Sequence, residues 1–147
     1  MNHLHGHGAT IVVTDEFART PDFTKLIADL GAPKLALNSV GGRAATVVAS
    51  TLGEDGTLVS FGGMASSSVD VPLSALVEKN ITVRGFSFAK WFAAASPAER
   101  EELVAKCVDD ARENRCQVLL AREPFGDFEY ALKRSLQAGE PKVVLVM

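Results

Sequence analysis

Apolar residues fall along the chain in short runs closed by glycine, separated by stretches with a helical period. Residues 34–40, 57–61 and 81–88 are almost continuously apolar or β-branched, and each run predicts a strand. The first ends in Gly41-Gly42, the second in Gly62-Gly63, and the third is interrupted by Gly85. Residues 44–52 predict a helix closed by Gly53, and residues 71–79 a short one with Pro72 in its first turn and Leu73, Leu76 and Val77 on one face. Upstream, residues 9–14 read as a β-branched strand. Thr14 or Asp15 then offers a cap for a helical stretch that Pro21 interrupts before Phe23, Leu26, Ile27 and Leu30 resume the period; Gly31 and Pro33 stop it.

The most regular helix follows. Ser96 caps it, Pro97 takes its first position, Glu99 completes a capping box, and Leu103, Val104, Cys107, Val108 and Ala111 form the expected buried stripe. Val118-Leu119-Leu120 is a further apolar segment, with a turn at Pro124 and a helix from Asp127 expected to bury Phe128, Ala131, Leu132 and Leu136. Gly139 and Pro141 end that helix, and residues 143–146 predict a terminal strand. Apolar runs without a polar alternate face point to strands covered on both sides, so the pattern favours an α/β fold with a parallel, helix-flanked sheet over a sandwich. No repeat or long linker marks a firm boundary within the chain.

Composition narrows the function classes. The 147 residues are 47% hydrophobic with a net charge of -3, enough to bury one domain-sized core, and the fifteen Lys and Arg are scattered, which argues against a nucleic-acid partner. No apolar run approaches the roughly 20 residues of a membrane span, so no membrane partner is expected. Cys107 and Cys116 match neither a disulfide framework nor a zinc spacing. His3, His5 and His7 alternate near the start, as an extended metal-binding segment would, yet a frayed tail is the better reading, and no metal site is assigned. The first residues have the pattern of neither a secretory signal nor a transit peptide.

Candidate chemistry gathers at the strand ends: Asn38-Ser39-Val40-Gly41-Gly42, Phe61-Gly62-Gly63-Met64 and Gly85-Phe86-Ser87-Phe88. In an open parallel sheet these ends line the ligand crevice, and glycine lets backbone N–H groups approach a phosphate or a planar ring. Tight turns in any α/β protein use glycine too, so the pattern alone leaves both readings open. No G-x-G-x-x-G, Walker or G-x-S-x-G sequence is present. The adjacent pairs Glu101-Glu102 and Asp109-Asp110 face different directions on a helix and suit a solvated surface better than acid–base work.

Three ordered blocks carry more. Leu35-Ala36-Leu37-Asn38-Ser39-Val40-Gly41-Gly42, Gly56-Thr57-Leu58-Val59-Ser60-Phe61-Gly62-Gly63-Met64-Ala65, and Val83-Arg84-Gly85-Phe86-Ser87-Phe88 with Trp91 resemble the mitochondrial trans-2-enoyl-CoA (enoyl thioester) reductases of the medium-chain dehydrogenase/reductase family. The resemblance runs from about Gly8 to Met147 and is to the C-terminal portion of those enzymes. It implies an incomplete Rossmann-like sheet over about residues 8–115, followed over about 116–147 by a helix and strand that return to the catalytic domain. It further implies an NADPH site lined by Phe61, Gly62, Gly63, Met64, Phe86, Ser87, Phe88 and Ala89, with Lys142 on the cofactor.

The implied activity is NADPH-dependent reduction of enoyl-CoA or enoyl-ACP in fatty acid synthesis, in mitochondria, with a cytoplasmic location left open. The tyrosine-bearing catalytic domain and the glycine-rich first turn of that family have no counterpart here; the sole tyrosine, Tyr130, is read as packing. No catalytic residue is therefore assigned, and the isolated chain is expected to be inactive. The resemblance also implies a homodimer or other oligomer, with residues 81–86 as the candidate edge, while the 9–14 strand is left without a neighbour. Quinone reductases share the glycine blocks, so a quinone reductase-like enzyme and a non-catalytic nucleotide-binding or dimerisation module remain alternatives.

Overall fold

The computed structural model describes residues 2–115, 118–137 and 139–147. They divide into two compact units, Met1–Ala95 and Ser96–Met147.

The first unit is built on three parallel strands, β1 (Leu35–Asn38), β2 (Thr57–Ser60) and β3 (Thr82–Gly85), in the order β1-β2-β3. Their accompanying helices are α1 (Asn2–Gly6), α2 (Pro21–Leu30), α3 (Gly42–Thr51), α4 (Leu73–Val77) and α5 (Phe88–Ala94). This is the helix-flanked parallel α/β architecture expected. The register aligns Ala36 with Leu58 and Leu58 with Val83, then Asn38 with Ser60 and Ser60 with Gly85. Ala36 and Leu58 meet Ala49 and Leu52 of the α3 segment, with Ala75 and Ile81 completing the core. Leu52 and Leu58 are fully buried, each contributing about 1.5–3 kcal/mol over an exposed position.

Burial of the sheet is one-sided. Leu35 and Leu37, on the face opposite Ala36, are 59% and 63% exposed, so the continuous apolar run of β1 does not mark a strand covered on both faces of this chain. Residues 9–14 form no strand: no described strand pairs with them, and an isolated extended segment has no ladder to join. Residues 2–6 are helical instead of frayed, and the His5 ring meets the Ala9 carbonyl at 2.8 Å. On α4, Ala75 turns inward while Leu73 and Val77 are exposed, because the small residue is the one that fits against the sheet.

The caps explain where helices begin. The Thr14 hydroxyl accepts from the Phe17 N–H at the start of a 3-10 turn, and the Thr20 hydroxyl accepts from the Phe23 N–H with Pro21 leading α2. The third apolar run, expected as a strand to Phe88, stops at Gly85, since Ser87 caps α5 by accepting from the Lys90 N–H at 3.3 Å.

The second unit contains α6 (Pro97–Arg112), β4 (Leu120–Pro124), α7 (Phe128–Ser135) and β5 (Lys142–Val146). The expected capping box is present: Ser96 and Glu99 exchange side-chain and backbone bonds of 2.7–3.3 Å. Both Ser96 donors hold the Glu99 carboxyl below its ordinary range, the backbone N–H contributing most. β4 and β5 pair in parallel through α7, and Arg134 of α7 donates to Glu123 and Glu140 at 2.6 Å each. These two bonds raise the Arg134 pKa further, Glu140 contributing most.

Two burial expectations fail here. No residue of α6 is buried, and Val104 is 54% exposed, because the cap and period form a helix locally whereas burial needs a facing surface. On α7 only Ala131 is buried, with Phe128, Leu132 and Leu136 exposed. Pro124 ends β4 where a turn was expected, and the strand takes in Arg122 and Glu123, whose charges masked it in the hydropathy pattern.

Candidate functional site

Three parallel strands in one register end at one edge of the sheet. The terminal row is Asn38, Ser60 and Gly85, and the segments that follow are those singled out by the sequence. The loop after β2 is tied to the tip of β1 by backbone: Phe61 N–H donates to Asn38 O (2.9 Å), Met64 N–H to Ser39 O (3.2 Å) and Ala65 N–H to Val40 O (2.8 Å). Phe86 N–H in turn donates to Ser60 O at 2.9 Å. Phe61, Gly62, Gly63 and Met64 thus form a ledge beside Phe86, Ser87, Phe88 and Ala89.

That ledge is open. Phe61, Met64, Phe86 and Phe88 are all exposed, Met64 most of all at 83%. Aromatic faces left in solvent next to backbone suit a planar ring as a partner. Phe88 stacks on Trp91 with ring centroids 6.1 Å apart and lies 5.6 Å from Phe92, so its orientation is fixed by α5. Ser87 Oγ is engaged in capping.

The two central glycines differ. A side chain at Gly62 would place Cβ 3.0 Å from the Ser39 carbonyl oxygen, so that residue is small because of its own neighbour strand. At Gly63 a Cβ would meet nothing within 4 Å, which leaves open space above its backbone. Next to the ledge, Gly41 and Gly42 turn from β1 into α3 with φ of 84° and 54°. There a Gly42 Cβ would lie 2.6 Å from Ser67 Oγ.

Asn38, quoted in the sequence only as part of a block, carries more than that reading gave it. Among the described residues of the first unit it is the buried polar one, 4% exposed, and its carboxamide bonds the β2 tip and the turn into α3. The available signal was a single polar residue closing an apolar run immediately before a turn of small residues.

Lys142 opens β5 in the second unit and is exposed. Tyr130 is 58% exposed on α7, so packing does not account for it. Cys107 is an exposed free thiol, and Cys116 lies outside the described residues. Among the described residues no group of three or more His, Cys, Asp or Glu is placed to hold a metal ion, and no helix is long and apolar enough to cross a membrane. A cavity of about 430 Å³ lies away from the strand tips, between α2 and α3, lined by Phe23, Ile27, Val47 and Lys79 among others.

Comparison with known proteins finds related reductases. A mitochondrial enoyl-acyl-carrier-protein reductase of Dictyostelium discoideum is 40% identical over 95% of the chain, and that of Homo sapiens 33% over 92%. The chain is related to the mitochondrial enoyl-acyl-carrier-protein reductases. It spans about 40% of the length of these curated relatives: 40% of the first and 37% of the second. No family model matches.

The fold is shared with solved reductases. An enoyl thioester reductase variant in complex with NADP and crotonyl-CoA superposes with a TM-score of 0.80 at 22% identity, over 97% of this chain and 42% of that one. The mitochondrial 2-enoyl thioester reductase heterodimer of Candida tropicalis gives 0.75 at 24%, over 91% and 40%. A quinone reductase of Bacillus thuringiensis gives 0.74 at 17%, over 95% and 43%. The reductase relationship therefore spans both units, while the ledge residues belong to the first unit.

Proposed function

We propose that this chain forms part of an NADPH-dependent 2-enoyl thioester reductase, supplying the ledge against which the reduced dinucleotide lies. One observation carries the reading: the three blocks that resemble the enoyl thioester reductases are the segments that the sheet register brings to a single open edge.

The residues fit the group. Open space above Gly63 admits a flat ring at backbone distance, and Phe86 and Phe88 offer apolar walls beside it. Lys142, in the second unit, is proposed separately and on the resemblance alone as a point charge for a cofactor phosphate. Bound NADPH supplies the hydride for the β-carbon of the enoyl thioester. What the chain's own residues do is bind, orient and exclude water on one side of the cofactor.

Residues of about 8–115 are proposed as the Rossmann-like part, and about 116–147 as the segment that returns to a catalytic domain. No group at the ledge is assigned acid–base work, so the 147-residue chain alone is expected to turn over little or no substrate. A dimer is proposed through β3, which pairs among the described residues with β2 alone and exposes all four of its residues. The mitochondrion is the proposed location, as the names of the relatives state for those proteins.

Incubation of the purified chain with NADPH and crotonyl-CoA tests this. Quenching of Trp91 emission by NADPH with negligible oxidation is the expected result. Ordinary turnover would overturn the inactivity of the chain alone. Absence of NADPH binding with a stable dimer would favour the assembly reading, for which the unpaired β3 edge is the supporting observation.

A further inference from the structure

Asn38, the first residue of the block that ends in Gly41-Gly42, bonds on both sides of its strand tip. Its Nδ2 donates to Ser60 Oγ at 2.9 Å, and its Oδ1 accepts from Val40 N–H at 3.2 Å and from Gly41 N–H at 3.0 Å. Gly41 is buried, so that N–H has no ready replacement in water. The same residue's backbone carbonyl accepts from Phe61 N–H, the first amide of the ledge. One buried carboxamide therefore binds the tip of β1, the tip of β2 and the turn into α3.

We infer that Asn38 is a positioning residue for the nucleotide ledge: it fixes the β1 and β2 tips against each other and so sets where the backbone of Phe61, Gly62, Gly63 and Met64 lies. The inference rests on the functional reading above for its ligand, and on the bonds just described for its geometry. Asn38 is not assigned any contact with the cofactor. It acts through Ser60 and through the turn, which is why an apolar residue with the same branching at Cγ should leave the strand in place while loosening its end.

The test compares Asn38→Leu, Ser60→Ala, the double variant and Val48→Ala, a packing change against the same core that leaves the tips untouched. Each is measured at a temperature at which circular dichroism shows it folded. NADPH affinity, read by Trp91 quenching, is expected to fall about tenfold or more in Asn38→Leu. Val48→Ala should stay within about twofold even where its melting temperature drops comparably. The double variant should lose no more than Asn38→Leu alone, since the Nδ2–Ser60 bond is already gone.

Equal affinity losses in Asn38→Leu and Val48→Ala would overturn the inference and leave Asn38 a general stability residue. Should the unaltered chain fail to bind NADPH, the functional reading fails by that result alone. Amide exchange then decides the positioning role: lost protection at Gly41, Phe61 and Met64 in Asn38→Leu but not in Val48→Ala supports it, and unchanged protection overturns it. Ser60→Ala keeps both turn bonds and gives a milder arm if Asn38→Leu does not fold.

Discussion

Gly62→Ala and Gly63→Ala should move stability in opposite directions although the two residues are neighbours. At Gly62 the new methyl would sit 3.0 Å from the Ser39 carbonyl oxygen, a few tenths of an ångström inside ordinary contact. Ser39 cannot retreat freely, because the bonds from Phe61 N–H and Met64 N–H tie the β1 tip to the loop on both sides of Gly62. Overpacking of this kind costs about 1–3 kcal/mol. Replacing glycine by alanine also restricts the unfolded chain and returns about 0.4–1 kcal/mol where the backbone tolerates it. Crowding wins at position 62, with a net loss of about 1–2 kcal/mol.

At Gly63 the added Cβ meets nothing, and only the gain remains. With about 4–8 °C per kcal/mol for a unit of this size, melting should fall by about 4–15 °C in the first variant and rise by a few degrees in the second. Trp91, the sole tryptophan, reports the transition by fluorescence. Equal shifts, or a neutral Gly62→Ala, would refute the argument. The functional arm reverses the ranking for Gly63: a methyl in the space assigned to the cofactor should weaken NADPH binding by about tenfold while the fold is unharmed.

Leu52→Ala removes a fully buried side chain from the core beneath the tips, and should cost about 2–5 kcal/mol in chemical denaturation, whereas Leu37→Ala, on the exposed face, should cost under about 1 kcal/mol. The Glu99 carboxyl titrates below its unfolded value near 4.3, so its contribution to the start of α6 is present above that pH and fades as pH falls through the lower folded value. Helicity by circular dichroism should show that loss in the wild type and not in Glu99→Gln. Arg134→Met should free Glu123 and Glu140 together, and hydrogen exchange of the β4–β5 amides should rise while β1–β3 amides are unaffected.

The elements with a local cause were legible in the sequence. Ser96-Pro97 with Glu99 and the glycines at the ends of the central strands announced α6 and the three tips, since caps and turns depend on residues close in sequence, whereas Pro21, read as an interruption, is the first residue of α2 with Thr20 as its cap. Burial was less legible because it depends on what lies opposite. The stripe of α6 and the Leu35–Leu37 face of β1 look like core in one dimension and are exposed in the structure. Strand 9–14 failed for the same reason: β-branched residues give a propensity, and a strand needs a neighbour to pair with.

Charged Arg122 and Glu123 concealed β4, whose parallel partner lies about twenty residues away and is invisible to any local pattern. The candidate site divides in the same way. Gly63 and the aromatic walls were visible as motif. The role of Asn38 was not, because its bond to Ser60 exists only once the register sets the two strand tips side by side.

Titration of isotopically labelled chain with NADPH, followed by amide chemical shifts, tests the central claim most directly. Within the first unit, shifts confined to Phe61, Gly62, Gly63, Met64 and to Phe86, Ser87, Phe88, Ala89 are the predicted result. A spectrum unchanged at saturating nucleotide, or shifts clustered instead at Phe23, Ile27 and Val47 in the α2–α3 cavity, would contradict it.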